Sequence, residues 1–332
     1  MAAVDDWRSY DRNPRALFDL TPEPLRAYEV MNRLVWGEEL SQWKVDLELS
    51  RRRMAVLMRS SVEADRLPPC APEVAEPLLR DLAQWPTSPA FDPAARAALG
   101  VAERFVLDVS ATTPSERSQL FDQIGAQSFS FVQALYVLDM THRIRIATGR
   151  LFGVDQALNR YEADGITEPS SVDGVEKQDS GDLWQVIESF MRVVARQDAL
   201  DPVTTELVRL AGARQHGCRL CRTRRSAAAL SASDDATLFD QALVGVSSDF
   251  DFRQRAAIRL TDAMTSQPSE IDDELAEAVR SSFTPVEVSE LVWDVARNGT
   301  NKIAVFFGAD EPTVSEGVEI FEIDANGDVS VG

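Results

Sequence analysis

The second half of this chain repeats the first, and that narrows the possible folds more than any other feature. Phe91-Asp92-Pro-Ala-Ala-Arg96-Ala97-Ala98-Leu99 returns as Phe250-Asp251-Phe-Arg-Gln-Arg255-Ala256-Ala257-Ile258, 159 residues later. Thr141-His142-Arg143-Ile144 faces Thr300-Asn301-Lys302-Ile303 at the same 159, and Glu48-Leu49-Ser50-Arg51 faces Glu206-Leu207-Val208-Arg209 at 158. Three matches in one order, with one indel between them, mark an internal duplication. At 332 residues the chain exceeds one ordinary core and has room for two units of about 150. We expect a first repeat over 1–161, a linker over 162–182, a second repeat over 183–310 and a tail over 311–332.

Both repeats are expected to be helical. TPEPLRAYEVMNRLVWGEEL brings apolar residues back every three or four places, with Thr21 as N-cap and Pro22 at the first helical position. LELSRRRMAVLMRSS, PEVAEPLLRDLAQW, PAARAALGVAERFVLDV, LWQVIESFMRVVARQ, RQRAAIRLTDAMT and EVSELVWDVARNG read the same way. Alternation of the strand kind waits until the end, where VEIFEID and VSV flank an Asn326-Gly327 turn and predict a short β-hairpin appendage. EADGITEPSSVDGVEKQDSGD, the linker, has no period. The fold class is therefore all-α: two helical repeats and a short C-terminal hairpin.

The formal net charge of −20 argues against nucleic acid as a general partner, because phosphate binding needs a basic surface. No run approaches the roughly 18 apolar residues of a membrane helix, and the N-terminal MAAVDDWRSYDRNPR lacks the apolar stretch of a signal peptide. The expectation is a cytoplasmic protein with no membrane partner.

Three cysteines, Cys70, Cys218 and Cys221, do not make a disulfide framework. They look like one close pair and a bystander. The pair lies in TTELVRLAGARQHGCRLCRTRRSAAAL. Residues 203–214 read as a helix, Gln215-His216-Gly217 breaks it, and a second helix is expected from about Cys218. That puts Cys218 at a helix start and Cys221 one turn on, on the same face. A helix N-terminus and nearby cations both stabilise a thiolate, and Arg214, Arg219, Arg222, Arg224 and Arg225 are close in sequence. The residues alone leave three readings open: a redox dithiol, part of a zinc site with His216, or a buried pair. No second CxxC or HxxxH completes a zinc site, so neither a metal nor a cofactor is expected. The duplication is asymmetric here, since the positions 158 residues before the cysteines hold Ser60 and Glu63.

With these residues in view, the chain resembles the alkyl hydroperoxidase D (AhpD)/carboxymuconolactone decarboxylase superfamily. The AhpD branch carries Glu, eleven residues, then Cys-x-x-Cys-x-x-x-His; here Glu206, eleven residues, then Cys218-x-x-Cys221 are present. Phe283-Thr284-Pro285 and the ending Asn298-Gly-Thr-Asn301-Lys302 resemble the rest of the family domain. The resemblance spans about 185–309, with a thiol-less version over about 25–153. It implies that Cys221 attacks a peroxide, Cys218 resolves the sulfenic acid and Glu206 assists proton transfer. A thioredoxin-like or lipoyl-type dithiol would then act as reductant on a hydroperoxide or disulfide substrate. The family's histidine is Arg225 here, which can hold a thiolate or, with Arg222, an anionic substrate, but cannot shuttle a proton. His216 is the one nearby imidazole and the candidate to take the missing histidine's catalytic place in proton transfer, although in the turn it could face water instead.

Single-repeat members associate through helical faces, so the tandem copy implies an intramolecular pseudo-dimer and a homo-oligomer. Two other classes stand beside the thiol oxidoreductase: a non-redox enzyme of the decarboxylase kind, and a binding or scaffold protein. His142 is expected to make a helix-end hydrogen bond, and Cys70 to be inert.

Overall fold

A computed structural model describes residues 7, 10, 15–68, 70–153 and 182–332. Apart from Asp182, the expected linker lies outside these residues. The first repeat consists of α1 (Arg15–Phe18), α2 (Pro22–Leu34), α3 (Lys44–Leu57), α4 (Ser61–Asp65), α5 (Glu76–Asp81), α6 (Pro93–Leu107), α7 (Pro114–Ile124) and the long α8 (Ser128–Phe152). The second begins with α9 (Leu183–Ala195), α10 (Pro202–Gln215), α11 (Arg219–Arg222), the strand β1 (Arg224–Ser226), α12 (Ala227–Ala232) and α13 (Thr237–Ala242). It continues with α14 (Phe252–Ser266), α15 (Asp273–Ser282), α16 (Pro285–Gly299) and α17 (Asn301–Phe307), before β2 (Glu319–Ile323) and β3 (Val329–Val331). The fold is mostly helical with a strand pair near the C-terminus.

The duplication is visible element by element. The pairs α3 and α10, α4 and α11, α6 and α14, and α7 and α15 keep the sequence offset, as do the 3-10 turns Val109–Ala111 and Pro268–Glu270. Local chemistry repeats too. Asp92 caps α6 by accepting the Ala95 amide at 2.8 Å, and Asp251 caps α14 by accepting the Gln254 amide at 2.8 Å. The last helix differs: α8 is continuous, whereas its counterpart is divided at Thr300 into α16 and α17.

The two repeats share one apolar core, which runs from Leu17 through Phe152 and from Leu183 through Phe306. Contacts between them come in reciprocal pairs. Helix α8 packs on the Pro268–Glu270 turn, and α17 packs on its twin, Val109–Ala111. Helices α2 and α9, each the first long helix of its repeat, pack on one another. Such reciprocity is what a two-fold, self-complementary interface produces. Trp293 of α16 is fully buried at this junction, with ring centroids 4.7 Å from Phe18, 5.4 Å from Tyr28 and 5.9 Å from Phe190. Truncating a tryptophan so placed costs about 3–5 kcal/mol.

A buried ion triad also ties the halves together. Asp139, wholly buried, accepts from Arg143 at 2.9 Å and from Lys302 at 2.7 Å. Arg143 donates across to the carbonyls of Met264 (2.8 Å) and Thr265 at the end of α14. Lys302, its twin, donates back to the carbonyl of Phe105 at the end of α6 at 2.7 Å. Each cation therefore closes the helix end of the other repeat, satisfying carbonyls that a helix leaves unpaired.

Two local expectations are corrected. Thr21 does not cap α2 through its side chain. Its hydroxyl lies 2.6 Å from that of Ser289 and accepts the Trp293 indole N–H at 2.8 Å, so it serves the junction between repeats. The terminal hairpin is not an appendage. β2 pairs antiparallel with β3 but also parallel with β1, in register Arg224 to Glu319, making a three-stranded sheet with the segment just after the cysteines.

Candidate functional site

Helix α10 ends at Gln215, and Gly217 turns the chain with φ +65°. A side chain there is disfavoured on two grounds: the left-handed backbone, and Ser110, whose Cβ would lie 2.6 Å from an added Cβ. The turn delivers Cys218 as the N-cap of α11, its sulfur accepting the Cys221 amide at 3.3 Å. Cys218 and Cys221 form a disulfide with Cα atoms 5.4 Å apart, within the usual bridging range. Cys218 is 1% exposed and Cys221 9%, so Cys221 is the more exposed residue of the pair. The helix expected to run on from Cys218 is a single turn, and Arg225 falls in β1 instead. A one-turn helix has few aligned peptide dipoles, so the charge at its start is small.

Two arrangements hold this loop. Inside, Glu206 is buried and receives both Nε and Nη2 of Arg209 at 2.7 Å. Arg209 then donates to the carbonyls of Cys221 (2.8 Å) and Arg224 (2.6 Å), while Glu206 also accepts the Ser226 amide at 3.2 Å. Outside, Asp310 accepts the backbone N–H of Arg219 at 2.9 Å and its guanidinium at 2.7 Å, and the Asp310 carbonyl accepts the Leu220 amide at 2.9 Å. Burial alone would raise the Asp310 carboxyl, but the hydrogen bonds from Arg219 hold it below the usual range. Phe321 of β2 lies under the Arg209 guanidinium, 5.1 Å from its carbon to the ring centroid.

The thiol-less repeat contains the same clamp. Arg51 grips Glu48 at 2.7 and 2.8 Å and donates to the carbonyls of Glu63 (2.6 Å) and Arg66 (2.5 Å). Ser60, the counterpart of Cys218, caps α4 through the Glu63 amide just as Cys218 caps α11. Glu206 thus positions the loop in concert with Arg209, as Glu48 does where no thiol is present.

The remaining expected residues are placed as follows. His216 is buried and does not face water; its Nε2 has no hydrogen-bond partner. Burial, then the charges of Lys302 and Arg143, push its pKa well below the ordinary value. Its environment is the junction triad. Arg225 is buried, and its guanidinium pairs with Asp240 at 2.6 Å and donates to the carbonyls of Arg222 and Arg224. Arg222 is exposed. Cys70 is exposed, and His142 is buried between Glu63 and the carbonyl of Arg51.

Sequence reasoning missed Arg209, Asp294 and Arg297. A cavity of about 660 Å³ lies beside the clamp, lined by Glu206, Arg209, Asp294, Arg297 and Phe321 among others. Asp294 is buried with Oδ2 unpartnered, and burial pushes its carboxyl up to about 8 against the smaller pull of Arg297. The signals were present in the repeat. Arg209 follows Glu206 as Arg51 follows Glu48, while Asp294 and Arg297 stand where the first repeat has Leu135 and Leu138. An acid and a guanidinium thus stand where the other copy has two leucines, in the copy that bears the cysteines, although neither cysteine lines this cavity.

Two proteins of Mycobacterium tuberculosis are similar to this chain: uncharacterized protein Rv2313c of strain ATCC 25618/H37Rv and uncharacterized protein MT2376 of strain CDC 1551/Oshkosh. Each is 39% identical to it over 233 residues, 70% of this chain and 78% of the relative. No family model matches the chain, and no solved structure does so significantly. Among the described residues no helix is long and apolar enough to cross a membrane.

Proposed function

We propose, for a chain that belongs to the same family as these two mycobacterial proteins, a thiol-dependent oxidoreductase of the AhpD kind working through Cys218 and Cys221. The observation that carries the reading is the disulfide itself, set in a loop clamped from within by Glu206 and Arg209. In the reduced protein the Cys221 thiolate attacks the outer oxygen of a hydroperoxide. The O–O bond breaks, the alkoxide takes a proton and leaves as an alcohol, and Cys221 becomes a sulfenic acid. The Cys218 sulfur then attacks the Cys221 sulfur. The hydroxyl leaves as water with the Cys218 proton, and the disulfide forms. A thioredoxin-like or lipoyl-type dithiol restores both thiols by two exchanges.

The resemblance makes Glu206 the proton carrier. Glu206 is occupied by Arg209 and the Ser226 amide, and Arg225 by Asp240. Asp294, buried with an unpartnered Oδ2 in the cavity beside that clamp and with its carboxyl pushed up to about 8 by burial, is a second candidate for the proton donor. The order of attack is tested with cumene hydroperoxide and the reduced single-cysteine variants. Cys221→Ser should abolish consumption, whereas Cys218→Ser should consume one equivalent and stop at a sulfenic acid that dimedone traps. Equal consumption by both variants would reject the assignment.

A further inference from the structure

Two cavities occupy twin places in the repeats. Arg51 and Leu138 line the one in the first repeat, and their counterparts Arg209 and Arg297 line the one of about 660 Å³ in the second. The wall changes character between the copies. Leu135 and Leu138, both buried, become Asp294 and Arg297. A leucine asks nothing of its neighbours, whereas a carboxyl and a guanidinium taken out of water need hydrogen-bond partners.

The described chain supplies none. Asp294 is 3% exposed and its Oδ2 has no partner. The Arg297 guanidinium is half-buried and makes no hydrogen bond or ion pair with any described residue. The two stand three residues apart on one face of α16, yet no ion pair joins them. The other charges on the wall are all accounted for. Glu206 holds Arg209, Arg196 pairs with Glu23 at 2.9 Å, and Asp324 accepts the amides of Asn326 and Asp328 within the hairpin turn. Asp198 and Glu322 are exposed, where water screens them. Among the described residues, Arg297 is thus the cation of this cavity that has no counter-charge in contact.

These groups define a ligand. Arg297 presents its N–H donors in a planar fork that matches a carboxylate. Asp294, whose carboxyl burial pushes up to about 8, keeps most of its proton at neutral pH and adds a donor rather than a negative charge. One unmatched cation, with exposed carboxylates elsewhere on the wall, suits a single negative charge and not a polyanion. Leu200 and Phe321, both buried, give a hydrocarbon body apolar surface to cover, while Thr205 and Asn298 add uncharged polar groups.

We propose that this cavity binds a small monocarboxylate with an apolar body, its carboxylate gripped by Arg297 and its body laid against Leu200 and Phe321. The proposal does not rest on the redox reading, since neither cysteine lines the cavity and binding is measured on the disulfide form.

Calorimetric titration of the full, oxidised chain with hexanoate tests this. Hexanoate should bind with a dissociation constant of about 1 mM or below, and hexanamide, uncharged and of the same length, at least about tenfold more weakly, as expected for the loss of a charged hydrogen bond. Arg297→Leu installs the residue of the first repeat, so the fold should survive, and hexanoate should then bind no better than hexanamide. Should that variant lose its helical circular dichroism, the comparison of acid and amide on the wild-type chain still decides. No heat with hexanoate, equal affinity for the amide, tighter binding of hexylamine, or undiminished hexanoate affinity in Arg297→Leu would each overturn the proposal.

Discussion

Replacing Asp139 with asparagine tests whether the buried charge triad fixes the two repeats together. The carboxylate is fully buried and accepts from Arg143 and Lys302. Asn298 occupies the same place in the second repeat, so the amide suits a helix of this kind. Removing the charge leaves two buried cations without their counter-ion. Lys302 has an escape: burial first, and then the Arg143 charge, already push it down to about 8, and Asp139 is what opposes them. It would lose its proton at neutral pH. Arg143 has none, because a guanidinium stays charged. Breaking one side of a buried pair costs about 3–5 kcal/mol, and relief at Lys302 puts the expected loss near about 3 kcal/mol.

Urea unfolding followed by circular dichroism would read this as a fall in midpoint of about 1 M or more. The pH profile supplies a second readout. The folded value of Lys302, about 8, lies below the ordinary 10.5, so the unfolded chain binds the extra proton between these limits. Wild-type stability should therefore gain from this group as pH rises from about 8 to about 10.5. In Asp139→Asn the rising limb should begin below pH 8. A loss under about 0.5 kcal/mol with the limb unmoved would refute the triad as a junction element.

Gly217→Ala should cost about 2–3 kcal/mol in the same assay, and Ser110→Gly should restore part of it. The twin position holds Arg59 at φ +56°, so the contact with Ser110 decides the outcome more than the backbone angle does. Arg225→His should change the rate of peroxide consumption less than about threefold, since the guanidinium is engaged with Asp240; a rise of about 10²-fold, the size of general-base help, would place that position at the thiols. Asp294 has its pKa raised to about 8, so the folded chain binds the extra proton above about pH 4 and this group lowers stability as pH climbs towards 8. Asp294→Asn should flatten that fall, as unfolding midpoints near pH 5 and pH 7.5 would show.

The helical class and the terminal strand pair could be read directly from the sequence, because both rest on local periodicity and turn chemistry. The cysteine turn was legible for the same reason: Gly217 breaks α10 where a left-handed residue is needed. β1 was not. Arg224-Arg225-Ser226 has no strand pattern of its own and becomes a strand only because Glu319–Phe321, 95 residues later, pairs with it. The burial of His216 could not be read from the sequence, because a turn is usually wet, whereas this turn is driven into the junction between repeats. Asp294 and Arg297 look like ordinary helix-face charges until they are aligned with Leu135 and Leu138 of the first copy. Tertiary partners decide such cases, and a single repeat viewed alone conceals them.

The redox claim is met most directly by counting thiols. The reduced wild-type chain has three, Cys70, Cys218 and Cys221. One equivalent of cumene hydroperoxide, followed by denaturation and titration with a chromogenic disulfide reagent, should leave one thiol per chain. Peptide mapping should find it at Cys70, with Cys218 and Cys221 joined. Three thiols remaining, or loss confined to the exposed Cys70, would contradict the account.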